Sequence, residues 1–281
     1  MKSGRIPFHR TLATGLVTVV LSLSLACNAQ AADSLQVDML LIATGPAYLS
    51  HRNGAILGQT EGNIQGRFLG IDYRLRQVEL AEALQPVDGI SAVIVAADYD
   101  QLLQLQAVYA PLDVPVFNIA LADMQLREQC IDGLYHTPPG EQMLADAEAQ
   151  WRQVNPDVAV QALAWHPEFV KFAGRDLNKR YQEQFTIPMD SDAWAGWAAT
   201  RIVAEAVVRT GSTNAADIDT YLKENLGFDG QKGIAHTFRN NGQLRQPLLL
   251  VDADAALLGE APVRGVADGN DLDSLGLPGC N

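Results

Sequence analysis

Serine, histidine and carboxylate side chains recur along this 281-residue chain without the spacing that hydrolytic or nucleophilic chemistry needs. No Gly-x-Ser-x-Gly elbow exposes a serine, no glycine-rich phosphate loop precedes a Lys-Ser/Thr pair, and no His/carboxylate spacing is suited to activating water. The isolated carboxylates are too common to nominate an acid–base pair, so the chain reads as a non-enzyme. What remains is the chemistry of holding a ligand. Polar groups follow three apolar runs: Tyr48 lies within residues 44–50, Asp98 follows residues 91–97, and Asn118 and Asp123 bound the end of residues 114–120. Asp98 and Asp123 have the chemistry to accept from a ligand amine, but capping the helices that follow is the simpler role. Lys171, Arg175, Lys179 and Arg180 share one helical face, which is better read as a solvated face than as a ligand patch. Trp194 and Trp197, three residues apart, read as core, and His136 beside Pro138-Pro139 as a turn residue.

These groups must be positioned by secondary structure, and the apolar pattern predicts it. Strands are expected at residues 37–43, 71–78, 91–97, 114–120 and 131–136, with helices at 55–69 and 99–109 and a short one ending at Leu84. Residues 71–78 alternate Ile71, Tyr73 and Leu75 with Asp72, Arg74 and Arg76, the mark of an edge strand with one wet face. Strand–helix alternation at this spacing implies a parallel sheet covered on both faces, with ligands beyond the carboxyl ends of the strands. Residues 140–154, 168–185, 190–210 and 213–225 are expected as helices and 158–163 and 246–252 as strands. Residues 265–281, rich in glycine and aspartate, are expected to form an extended tail.

Lys2, Arg5 and Arg10, an apolar run over residues 12–25 and Ala29-Gln30-Ala31 form the pattern of a secretory signal peptide, with cleavage expected after Ala31. A lipoprotein anchored at Cys27 is the second option, since Ser24 and Leu25 before Ala26 fit that signal poorly. No later apolar stretch is long enough to cross a bilayer. Residues 1–31 hold three basic residues and no acidic one, so the remainder carries 17 Lys+Arg against 33 Asp+Glu, a net charge of −16. That balance disfavours nucleic acid and anionic membrane surfaces. Cys130 and Cys280 remain after cleavage. An oxidising compartment permits a disulfide between them, contributing at most roughly 5 kcal/mol in the chain-entropy model; two free thiols are the alternative. Zinc-type His/Cys clustering is absent from the sequence, and no metal site is expected.

Trp194-Ala195-Gly196-Trp197-Ala198-Ala199, the break at Gly211, Phe228-x-Gly230-x-x-Gly233 and Phe238-x-x-x-Gly242 resemble the branched-chain-amino-acid type of ABC-transporter solute-binding protein. Phe117-Asn118, Asp123, Leu126-Arg127, Cys130, His136-x-Pro138, Met143-Leu144-Ala145-Asp146-Ala147 and Gly242-Gln243-Leu244-Arg245-Gln246-Pro247 are similar to its subgroup associated with PQQ-dependent (quinoprotein) alcohol dehydrogenase systems. The resemblance implies an α/β fold: a parallel-sheet, Rossmann-like lobe of a type I periplasmic binding protein with a much reduced second lobe. The family carries several β/α units where this chain has only residues 140–164. On that basis residues 32–139 and 190–252 are expected to form lobe one, 140–189 a residual second lobe and hinge, and 253–281 the tail.

For function, the resemblance implies a periplasmic binding component whose ligand is PQQ or a related small organic anion, bound as cargo and not as a redox cofactor. PQQ carries three carboxylates, which makes Arg127 and Arg245 the first candidate ligand groups, with Lys232 and Arg52 behind them. Salt bridges to acidic neighbours are the competing role for Arg127 and Arg245. Trp165 falls at the family's hinge, where an aromatic ring is able to stack on a flat quinone or to cover the core. Where the amino-acid-binding relatives use hydroxyls and amides, this chain has Ala96-Ala97-Asp98 and Asn118-Ile119-Ala120, which argues against leucine-like ligands. An ABC permease is the implied partner. The alternative is a protein-interaction module that docks a quinoprotein dehydrogenase, a cytochrome or the transporter.

Overall fold

Residues 40 and 42 of the first strand face one apolar cluster and residues 37, 39, 41 and 43 the other, so the strand is buried on both sides. A computed structural model describes Met1, Gly4 and residues 34–280; the signal peptide and Cys27 expectations lie outside these. Strands β1 (Leu35–Ile42), β2 (Ile71–Gln77), β3 (Ala92–Val95), β4 (Val116–Asn118) and β5 (Leu134–His136) form a parallel sheet in the order β2-β1-β3-β4-β5. Helices α2 (Leu80–Ala83), α3 (Tyr99–Tyr109) and α4 (Met124–Glu128) connect these strands. The face built on Leu40, Val93, Val95 and Val116 packs against Ala83, Leu102, Leu105 and Leu126 from those three helices. The other face carries Met39, Leu41, Ile94 and Phe117 under α1 (Leu49–Leu69) and α7 (Ser191–Thr210).

Helix α1 starts six residues before the expected position, inside a stretch whose composition argues against a helix. Gly54, Gly58, Gly62 and Gly66 recur every fourth residue, each about 1 kcal/mol worse than alanine in a helix. They line one stripe, and α7 lies against it. A Cβ at Gly54 would overlap the Ala193 carbonyl, one at Gly196 the His51 carbonyl, and one at Gly58 would stand 2.9 Å from the Trp197 carbonyl. The glycines thus exchange helix propensity for a backbone-close seam. Asn63 of α1 also satisfies the open side of β2: its amide nitrogen donates to the Tyr73 carbonyl (2.9 Å) and its oxygen accepts from the Tyr73 N–H (2.8 Å). That pairing blunts a sheet edge otherwise ready to pair with another chain.

Helices α5 (Glu141–Val154) and α8 (Ala215–Glu224) and strand β6 (Gln161–Leu163) occupy positions close to the expected ones, whereas α6 (Gly174–Phe185) starts six residues later than expected and leaves Lys171 and Phe172 in the loop before it. The second sheet departs from expectation. It is antiparallel, in the order β6-β7-β8, with β7 (Leu248–Val251) at its centre and β8 (Leu257–Ala261) at its edge. The strand expected within lobe one therefore belongs to the small sheet, and β8 falls inside the expected tail. The reason is apolar demand. Leu248, Leu250, Ala162 and Ala261 bury against Met143 and Ala147 of α5, a cluster of their own.

The tail is not loose. Arg239, buried, donates to the carbonyls of Leu272 (2.8 Å), Leu275 (2.7 Å) and Leu277 (2.8 Å). Asp146 accepts from the Gly276 N–H (2.7 Å), Asn240 pairs with the backbone of Cys280, and a disulfide joins Cys280 to Cys130. Among the described residues, no helix is long and apolar enough to cross a membrane.

Candidate functional site at the carboxyl edge of the parallel sheet

Parallel sheets bind ligands where successive crossovers leave in opposite directions, because there the loops part and leave a crevice. Here that point lies between β1 and β3, since β2 sits on one side of β1 and β3, β4 and β5 on the other. A hollow of about 240 Å³ opens on the β2 side of that point, over the carboxyl ends of β1 and β2, lined by Thr44, Gly45, Arg52, Gln77, Glu79 and Glu82 among others. Arg52 stands on the first turn of α1, half-buried, and forms no ion pair among the described residues. Tyr48 at the start of α1 makes no side-chain cap bond; a 3-10 turn over Pro46–Tyr48 leads into the helix, the Leu49 N–H donating to the Pro46 carbonyl, and Ser50 donates to Asp190 (2.8 Å). Glu79 and Glu82 are exposed. The hollow therefore sets one guanidinium, that of Arg52, beside two carboxylates able to accept from an amine.

Among the residues expected to hold ligand, Tyr48 is the one adjoining this helix start; it is half-buried, with its ring edge-on to His51 at 5.8 Å. Asp98 is an N-cap: its carboxylate accepts from the Gln101 N–H (2.9 Å) in a capping box on α3, and it does not line the hollow. Asp123 precedes α4 without a side-chain cap bond, and its carbonyl accepts from Arg127 (3.0 Å).

Arg127 and Asn118 are brought together, but inward. Arg127 is 2 % exposed and donates to the carbonyls of Leu121, Asp123 and Pro138 and to the Gln243 side chain. Burial lowers its pKa to about 10, against the opposing pull of Asp123 and Glu141. Asn118, fully buried, folds the loop after β4 by accepting from the N–H groups of Ala120 and Leu121, and its amide meets His136 Nδ1 at 3.1 Å. Burial, reinforced by the Arg127 charge, holds the His136 imidazole well below its ordinary pKa. These side chains are anchors of the loops, not open ligand groups. Trp165 is likewise closed off: it is 1 % exposed, stacks on Trp194 with centroids 6.2 Å apart, and donates to Asn178 (2.7 Å).

The run at residues 242–247 is accounted for residue by residue. Gly242, at φ 76°, passes so close to the Leu134 carbonyl that a Cβ would overlap it. Gln243 binds Arg127 and the Pro138 carbonyl, and Leu244 is buried. Arg245 donates to Asp273 (2.7 Å) and the Phe238 carbonyl (2.7 Å), tying the tail to this run. Gln246 bridges the Thr137 carbonyl and the buried Lys232, which also donates to the Pro247 carbonyl (3.1 Å). The run staples the junction of the two sheets. The basic face is ion-paired over most of its length, through Lys171–Glu260, Lys179–Glu183 and Arg180–Glu61.

From sequence Arg52 ranks behind Arg127 and Arg245 as a ligand group; only their partners in the fold, chain carbonyls for Arg127 and Asp273 for Arg245, separate the three.

The sheet order, the helices on both faces and the small second sheet define the type I periplasmic binding fold. An ABC-type branched-chain amino acid transporter protein from Rhodopseudomonas palustris superposes with a TM-score of 0.66 at 16% identity, over 87% of this chain and 99% of that one. LivJ, the branched-chain amino acid substrate-binding protein of Streptococcus pneumoniae in complex with isoleucine, gives 0.64 at 11% identity, over 81% and 98%. The leucine-binding protein LivK of Thermotoga maritima gives 0.61 at 11% identity, over 80% and 98%. No family model matches the sequence, and no curated protein matches it.

Proposed function

We propose that this chain is the solute-binding component of an ABC transport system and holds a small organic carboxylate, with or without an amine, at the start of α1. The observation that carries this reading is Arg52, without an ion pair among the described residues, on the first turn of α1 at a hollow over the carboxyl ends of the parallel strands β1 and β2. The structural neighbours, named for leucine, isoleucine or branched-chain amino acids, suit a ligand of that class. Secretion to the periplasm and an ABC permease as partner belong to the same reading. The resemblance of residues 242–247 and the other runs to the quinoprotein-associated subgroup supports a link to quinoprotein alcohol oxidation, and PQQ stays among the ligands to try. Arg127 and Arg245 are not its clamp, since both are committed within the chain. Solute-binding clefts cover most of their ligand. The three-stranded second sheet is the reduced remnant of a lobe in this proposal, and it leaves the solute partly open unless the permease covers it.

Calorimetric titration of the purified protein with L-leucine, succinate and PQQ tests the reading. One of them should bind saturably with Kd under about 100 µM, and Arg52→Gln should weaken it at least about tenfold without moving the unfolding midpoint. No saturable binding up to about 1 mM, weaker than about −4 kcal/mol, would sink it. Capture of a dehydrogenase, cytochrome or permease by a protein that binds none of these solutes would instead support the docking module.

A further inference from the structure

A second hollow, of about 360 Å³, lies where the small sheet meets the loops before α6 and after α8. Lys232 lines it, with walls from Phe172, Ile234, Pro247 and Pro262 and with Arg264 among its lining residues. Lys232 is 3 % exposed, its Nζ lies 3.8 Å from the centroid of the Trp194 ring, and its hydrogen bonds go to the uncharged Gln246 and Pro247. Among the described residues no carboxylate stands within ion-pair reach of it, and the acid that lines the same hollow, Glu260, is bound to Lys171. A buried cation is unfavourable until an anion joins it, and a π-face and two carbonyls offset only part of that penalty. Arg264 is exposed and, among the described residues, also without an ion pair.

The apolar wall is set with some strain. Phe172 adopts φ 52°, a left-handed conformation that bulky residues avoid, and yet remains 62 % exposed. Its ring rests on Gly233, where a Cβ would overlap it. An aromatic face is thus held out to solvent at a hollow that Lys232 and Arg264 also line.

We propose that this hollow is a second binding site, for a small carboxylate carried on a flat apolar body, its carboxylate between Lys232 and Arg264 and its body against Phe172 and the two prolines. The volume is at the lower end of the range for small-molecule pockets. The site is independent of Arg52 and of the proposal for the α1 hollow. Burial lowers the Lys232 amine well below its ordinary pKa, so an anion that favours the ammonium is bound with uptake of a proton.

Benzoate is the probe, with acetate as its counterpart lacking the ring and benzyl alcohol as its uncharged one. Because Lys232 sits on Trp194, occupancy is read from tryptophan fluorescence of the purified protein. Benzoate should bind saturably, acetate and benzyl alcohol at least about tenfold more weakly, and the affinity should fall in Arg264→Gln, an exposed position that does not threaten the fold. Lys232→Met should abolish binding if it folds; Arg264→Gln carries the test if it does not. Arg52→Gln should leave benzoate binding unchanged. No saturable response to benzoate up to about 10 mM, equal affinity in Arg264→Gln, or loss in Arg52→Gln overturns the proposal.

Discussion

The parallel sheet and the C-terminal tail of this molecule are held in opposite ways. The parallel sheet is sealed by helices whose backbones touch, α1 against α7, with glycine at each close approach. The C-terminal tail after the small antiparallel sheet is held by side chains reaching across long stretches of chain to backbone groups, Arg239 to Leu272, Gln150 to Ser274 and Asp146 to Gly276, and by a disulfide across 150 residues. A seam of backbones tolerates no added atom, whereas a set of separate polar ties loosens one tie at a time. The first suits a rigid platform for a site. The second suits an element added onto that platform from chain segments distant in sequence.

The sharpest way to break this contrast is at the seam. Gly54→Ala and Gly196→Ala each drive a Cβ into a backbone carbonyl, and each should lower stability in urea by about 3 kcal/mol or more despite the gain in helix propensity. Gly62→Ala, whose nearest neighbour would be the Tyr73 ring at 3.3 Å, should be close to neutral. Equal effects at all three positions would mean the helices are farther apart than described. On the other side, Arg239→Met removes three bonds to tail carbonyls and should cost about 2–3 kcal/mol. Hydrogen exchange should then rise across residues 265–280 and leave β1 to β4 protected; uniform exchange would erase the distinction. Reducing the Cys130–Cys280 bond should cost about 2 kcal/mol, the low end for a disulfide, because the polar ties still hold the tail.

Acid should act on the platform first. Burial, with help from Lys232, lowers the His236 pKa to about 3, and burial likewise lowers His51 and His136. In the unfolded chain these imidazoles take up protons near pH 6.5, while in the folded chain they resist, so stability is full above that pH and falls as acid drives His236 toward about 3. His236→Gln should flatten the stability–pH profile by up to about 1.4 kcal/mol per pH unit over that window. An unchanged slope would show that His236 titrates normally.

Much of the platform was legible because its signals are local. Residues 37–43 and 91–97 are apolar on both faces, the alternation of residues 71–78 marked an edge, and Asp190 and Gly211 bracketed α7. The first turns of α1 were not legible, since Gly54 and Gly58 lower helix propensity unless the partner helix is known. Nor were β7 and β8, whose pairing depends on α5 and on β6 far away in sequence. The candidate site was half visible. Its place beyond the strand ends follows from strand order, but the arginines chosen for it, Arg127 and Arg245, turned to carbonyls and to Asp273.

By itself the sequence determined the α/β class, the buried strands, the edge at β2 and the caps at Asp98 and Asp190, because periodicity and capping involve residues within a turn or two of one another. Only the tertiary structure decided which cations stay open. A guanidinium or ammonium binds any oxygen it can reach, and whether that oxygen belongs to the chain, as for Arg127 and Arg239, or to a solute, as we propose for Arg52, depends on what the fold places beside it.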